Sequence, residues 1–120
     1  MFHCLAKSGA DLLVGGSGAN RSEPAWTQVY RALEHGSTKN ACRNQTVLKS
    51  FPKAVEDFAN AFTSMQEKRH RADYDPSERF YKSAVERDVA DVESAITRFQ
   101  KAPIKDRRAF VAFVLFKKRA

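Results

Sequence analysis

The side chains best suited to moving protons near neutral pH are the three histidines, His3, His35 and His70. His35 follows Arg31 by four residues, in Arg31-Ala32-Leu33-Glu34-His35, and residues four apart on a helix share a face. A histidine that moves a proton beside an arginine that stabilises negative charge makes general acid–base catalysis with electrostatic assistance. The pair also fits a plain helix end. There His35 would complement the C-terminal dipole and Glu34 would hold Arg31 in a surface ion pair.

A second candidate is the run Glu67-Lys68-Arg69-His70-Arg71, followed by Ala72-Asp73-Tyr74. Lys68, Arg69 and Arg71 offer positive charge to an anion, and the His70 imidazole among them offers a base. The competing reading is a solvated charged face. Asp73 stands one turn after Arg69 and is placed to lock it, while Tyr74 is placed to pack the corner before Pro76. Metal chemistry finds no support in the spacing. The histidines are far apart without an accompanying carboxylate pattern, and Cys4 and Cys42 have no ligand spacing. Gly15, Gly16 and Gly18 lack the Lys-Ser/Thr of a phosphate-binding loop and read as a connector. No cofactor is implied.

The elements that must carry these residues read as helices. Residues 1–14 place Phe2, Leu5, Ala6, Leu12 and Leu13 at helical spacing, and the glycines after them end the helix. Ser22 is a good N-cap with Pro24 in the first turn; Trp26, Val29, Tyr30 and Leu33 follow, and Gly36 is read as the stop. Residues 37–49 read as a polar, basic loop or frayed turn. A third helix starts near Ser50-Phe51-Pro52, carries Val55, Phe58, Ala59, Phe62 and Met65 on one face, and ends near Asp73-Tyr74.

Asp75-Pro76-Ser77-Glu78 is a helix start signal. The helix it opens runs to about Lys101 with Val85, Val89, Val92, Ile96 and Phe99 in a nearly heptad stripe, suited to an antiparallel neighbour. Pro103 breaks it. The apolar run 109–116 is assigned to helix, since nothing else in the chain would pair with a strand. These readings predict one domain over 1–120, all-α, an antiparallel bundle of four to five helices with phenylalanine stripes as core.

The chain has 120 residues and a formal net charge of +7. The excess of Lys and Arg attracts anions, with RNA or another nucleic acid first among partners; the alternative is that it serves solubility. The basic run Lys117-Lys118-Arg119 fits phosphate contact or a soluble tail. Tyr30 and Tyr81 are the aromatics placed to stack on a base. No apolar run is long enough to span a membrane, and the N-terminus lacks a basic leader. The expected setting is the cytoplasm, with free thiols.

Phe58-Ala59-Asn60, then Met65-Gln66, then Arg69-His70-Arg71-Ala72-Asp73-Tyr74-Asp75-Pro76 resemble the HEPN superfamily of helical bundles. Prokaryotic members often close a central helix with Arg-x-x-Ala-Asp-Tyr. Met1-Phe2-His3 resembles the tail of the family's Arg-Ala-x-Tyr-Tyr-Ala-x-Phe-His helix. The resemblance implies that the chain starts inside a family helix, and that apolar faces left uncovered favour a homodimer or aggregation.

Many HEPN proteins are metal-independent endoribonucleases in which four to six residues separate an Arg from a following His, and two copies meet in a dimer cleft. No Arg here has that spacing; Arg31 and His35, with three residues between them, are the nearest substitute. The resemblance thus implies an RNA-binding or RNA-cleaving bundle of the kind found in toxin–antitoxin or defence systems, with Arg69, Asp73 and Tyr74 lining a nucleotide or RNA cleft. The alternative is a non-catalytic module that dimerises or holds a protein such as a nucleotidyltransferase.

Overall fold

The computed structural model describes residues 1–74 and 82–116. Among them there is no strand. Seven helices follow one another: α1 Phe2–Val14, α2 Glu23–Ala32, α3 His35–Cys42, α4 Gln45–Leu48, α5 Lys53–Tyr74, α6 Lys82–Gln100 and α7 Ile104–Leu115. The all-α expectation holds, and the count of four to five helices is corrected.

The difference arises between residues 31 and 49. Asn44 caps α4, its side chain accepting from the Val47 N–H at 3.2 Å. In α3, the hydroxyls of Ser37 and Thr38 donate to the Glu34 carbonyl at 3.3 and 2.6 Å. Gly36 is not a stop but the second residue of α3. What ends α2 is the extended backbone of Leu33 and Glu34, with Leu33 buried in the core. Burial of one leucine overrides local propensity there.

Elsewhere the local signals act as read. Gly15, at φ 126°, follows α1 and donates its N–H to the Asp11 carbonyl at 3.0 Å. The Ser22 hydroxyl accepts from the Ala25 N–H at 3.3 Å, with Pro24 in the first turn of α2. Pro103 separates α6 from α7 and serves as N-cap of the latter. The start signal at 75–78 lies outside the described residues, as do Tyr81 and the basic run 117–119.

The core is phenylalanine. Phe58 of α5 and Phe99 of α6 stack at 4.4 Å between centroids, and Phe110 of α7 meets both edge-on at 6.3 and 5.9 Å. Phe51, two residues before α5 begins, adds an edge contact to Phe110. Two ion pairs fix α5 and α6 as antiparallel, Asp57–Arg98 at 2.9 Å at one end and Lys68–Asp88 at 2.7 Å at the other. The α6 stripe is buried only in part. Phe99 is enclosed and Ile96 and Val92 half-buried, whereas Val89 and Val85 are 50% and 44% exposed.

Helix α1 buries Leu5 and Ala6 of the expected stripe and packs Phe2 and Leu12 against the core, but Leu13 departs from it. Its buried residues are Leu5, Ala6, Gly9 and Ala10, while Leu13 is exposed. The small residues let α7 come close: a Cβ on Gly9 would stand 3.2 Å from the Val111 side chain. In α3 the buried residues are Thr38 and Cys42, one turn apart.

Removing the ring at the three-helix junction leaves a cavity the backbone cannot close. Phe99→Ala is expected to destabilise the fold by about 3–5 kcal/mol, whereas Val89→Ala, on the exposed end of the same stripe, should cost far less. Urea denaturation of both variants checks the contrast, and equal costs would contradict this packing.

Candidate functional site

The structure separates the first candidate pair. Arg31 lies in the last turn of α2, the chain is extended at Leu33 and Glu34, and His35 is the first residue of α3. A shared helical face requires one helix, so that expectation is corrected, and His35 stands at a helix N-terminus rather than at a C-terminal dipole. Its ring stacks on Phe2 at 3.7 Å with an 11° tilt, pinning the start of α1 to the start of α3. Arg31 is exposed.

The second candidate is brought together, with additions. Helices α3 and α5 flank an open groove of about 490 Å³ lined by Lys39, Arg43, Glu67, His70 and Arg71. Three permanent cations and a histidine thus face one carboxylate. Glu67 is shared with Arg43 at 3.3 Å, an exposed pair that contributes little stability. Lys68 turns the other way, to Asp88 of α6, and works as a strut rather than as groove lining. Arg69 is exposed and Asp73 and Tyr74 fall in the last turn of α5; the expected Arg69–Asp73 lock lies outside the described side chains.

Lys39 and Arg43 were hidden inside the segment read as loop. The signal that could have found them is their own spacing, four residues apart just before the Asn44 cap, which places both on one face once a helix is granted.

A polar cluster with no clear mark in the sequence ties α1 to α2. Asp11 accepts from the Trp26 indole N–H at 2.9 Å, from Lys7 at 2.9 Å and from Arg21 at 3.4 Å. Arg21 also donates to the Gly15 carbonyl at 3.1 Å and lies over the Trp26 ring at 4.7 Å. Trp26 stacks on Tyr30 at 5.3 Å, and the Tyr30 hydroxyl is hydrogen-bonded to Nδ1 of His3. Tyr30 is therefore built into the α1–α2 seam, which removes it as a free stacking surface for a base. Partial burial pushes the Asp11 carboxyl upward, but the hydrogen bonds from Lys7 and Trp26 and the nearby charges outweigh it and hold it below the usual range.

Both cysteines are free thiols. Burial pushes Cys42 up to about 12, so it is a packing residue and no nucleophile. Cys4 is half-buried, and burial raises its thiol as well. No cluster of three His, Cys, Asp or Glu side chains able to hold a metal occurs among the described residues. No described helix is long and apolar enough to cross a membrane.

No family model, curated protein or solved structure matches the chain. The groove's geometry and charge therefore carry the functional reading.

Because Asp11 is held below its unfolded-state range, its stabilisation is complete above that range and is lost as pH falls through the folded value. Asp11→Asn should therefore be less stable than the parent at neutral pH, with the gap closing as pH drops below about 4. Urea midpoints of both proteins across acid pH test this; a gap that does not change with pH would contradict the ionic role of Asp11.

Proposed function

We propose that this chain is an HEPN-like helical bundle that binds single-stranded RNA through the groove between α3 and α5. The observation that supports the reading is the convergence of Lys39, Arg43, His70 and Arg71 from two helices around one carboxylate. Cations gathered from separate elements on one open surface contact successive phosphates along a backbone and release their counterions. The net charge of +7 works in the same direction, by raising the rate of encounter with a polyanion.

Binding is preferred to cleavage. General acid–base chemistry needs the histidine and the charge-stabilising group on one reacting centre. Arg31 and His35 belong to different helices, and the His35 ring is engaged with Phe2. His70 in the groove has cations for neighbours and serves there as a further donor to phosphate. A role within a toxin–antitoxin or defence system rests on the family resemblance alone.

A second reading, self-association without RNA, is favoured by Val85 and Val89, which stand one turn apart and exposed on α6. One titration separates the two. Fluorescence anisotropy with a labelled single-stranded RNA should show affinity that falls steeply with salt, the log–log slope losing about 0.7 for each phosphate contact removed. Lys39→Ala and Arg71→Ala should each flatten that slope, and Glu67→Gln should tighten binding by removing the groove's carboxylate. Absence of binding at low salt, or slopes unchanged in both alanine variants, would overturn the RNA reading and leave the α6 surface as the stronger one.

A further inference from the structure

A second groove, of about 550 Å³, runs along α1 where it meets α6 and α7, on helices other than those of the α3–α5 groove. Its walls differ in kind. Leu12 of α1 and Ile96 of α6 supply an apolar side, and both pack against the core cluster. Lys7 and Ser8 of α1, Gln100 of α6 and Arg107 of α7 supply polar groups.

Arg107 is the informative residue. It is half-buried, and its Nε donates to the Ala102 carbonyl at 3.0 Å, which fixes the guanidinium against the α6–α7 turn. Among the described residues no carboxylate pairs with it. The one carboxylate lining the groove, Asp11, is engaged by Lys7, Trp26 and Arg21. The groove therefore holds an anchored guanidinium whose terminal nitrogens have no acidic partner. Lys7 stands in the same groove, with its charge only shared with Asp11. A planar fork held in this way suits bidentate recognition of a carboxylate or phosphate.

We propose that this groove binds a small amphiphilic organic anion, its head group on Arg107 and Lys7 and its short apolar body along Leu12 and Ile96. The size agrees, since pockets for small ligands begin at roughly 300 Å³. Ser8 and Gln100 are placed to complete the head group's hydrogen bonds. Cys4 lines the same groove and Gln100 lies 3.9 Å from its sulfur, so an occupant would shield the thiol.

The two cysteines provide the assay. Cys4 is partly accessible and Cys42 fully buried, so maleimide labelling of Cys4 reports occupancy while labelling of Cys42 reports unfolding. The probes are hexanoate and hexyl phosphate, with hexanol and inorganic phosphate as controls. One of the two amphiphilic anions should bind saturably in calorimetry and slow Cys4 labelling several-fold, and whichever binds tighter identifies the head group. Inorganic phosphate should bind more weakly and hexanol should not protect.

Arg107→Gln should weaken binding about tenfold, the size of one lost charged hydrogen-bonding contact, with Cys42 still unlabelled. Should Arg107→Gln expose Cys42, Lys7→Ala carries the comparison, because Lys7 is a surface side chain with 57% exposure. Failure of both anions to bind, protection by hexanol equal to theirs, or unchanged affinity in a folded variant would overturn the proposal.

Discussion

Three phenylalanines from three helices meet at one point, and the architecture is organised around that contact. Phe58, Phe99 and Phe110 join α5, α6 and α7 in one stacked and two edge-on contacts. The antiparallel α5–α6 pair is held in register by ion pairs at its two ends. The first of them is reinforced: the hydrogen bond from Lys53 and the charge of Arg98 hold the Asp57 carboxyl below its usual range, against the opposing effect of burial. With that pair fixed, α7 offers Val111 to Gly9 of α1, and α3 lies against both α5 and α7 with Thr38 and Cys42 buried. Both grooves lie between helices of this frame, one between α3 and α5, the other along α1 beside α6 and α7.

Much of the frame was legible in the sequence because each signal there had one physical meaning. Phenylalanine at helical spacing in 55–62 can be buried only by a helix, and Pro103 can only interrupt one. Ser22 with Pro24 specified a helix start for the same reason. The failures share a cause as well. Leu33 and Glu34 carry no breaker, and their extended backbone follows from burying Leu33, which is a tertiary effect. The following segment, 37–49, looks like loop because the buried residues of α3 are Thr38 and Cys42 rather than large apolar side chains, and the buried Leu48 stands in a helix of only four residues. Helix α1 shows the same ambiguity: Leu13 looks like core, but Gly9 and Ala10 are what the neighbouring helix can approach.

The candidate site was legible to the same degree. Charge density along 67–71 drew attention to His70 and Arg71, and both line the groove. It could not show that Lys68 would turn to Asp88, since that depends on the register of α6. Nor could it show Lys39 and Arg43 on the opposite wall, because their segment had no helical signature of its own. The Arg31–His35 spacing was suggestive only while a single helix was assumed. The Asp11 cluster joins Asp11 to Trp26, fifteen positions on, and His3 to Tyr30, twenty-seven on, juxtapositions that no local pattern announces.

RNA binding at the α3–α5 groove remains a proposal that can be read out residue by residue. Its most direct test is residue-resolved: amide chemical shifts of the labelled protein, followed while a short single-stranded RNA is added. Binding there should perturb residues 35–43 and 67–71 and leave α6 and the Asp11 cluster unaffected. Perturbations centred on α6 or on 117–120, or none at all, would contradict it.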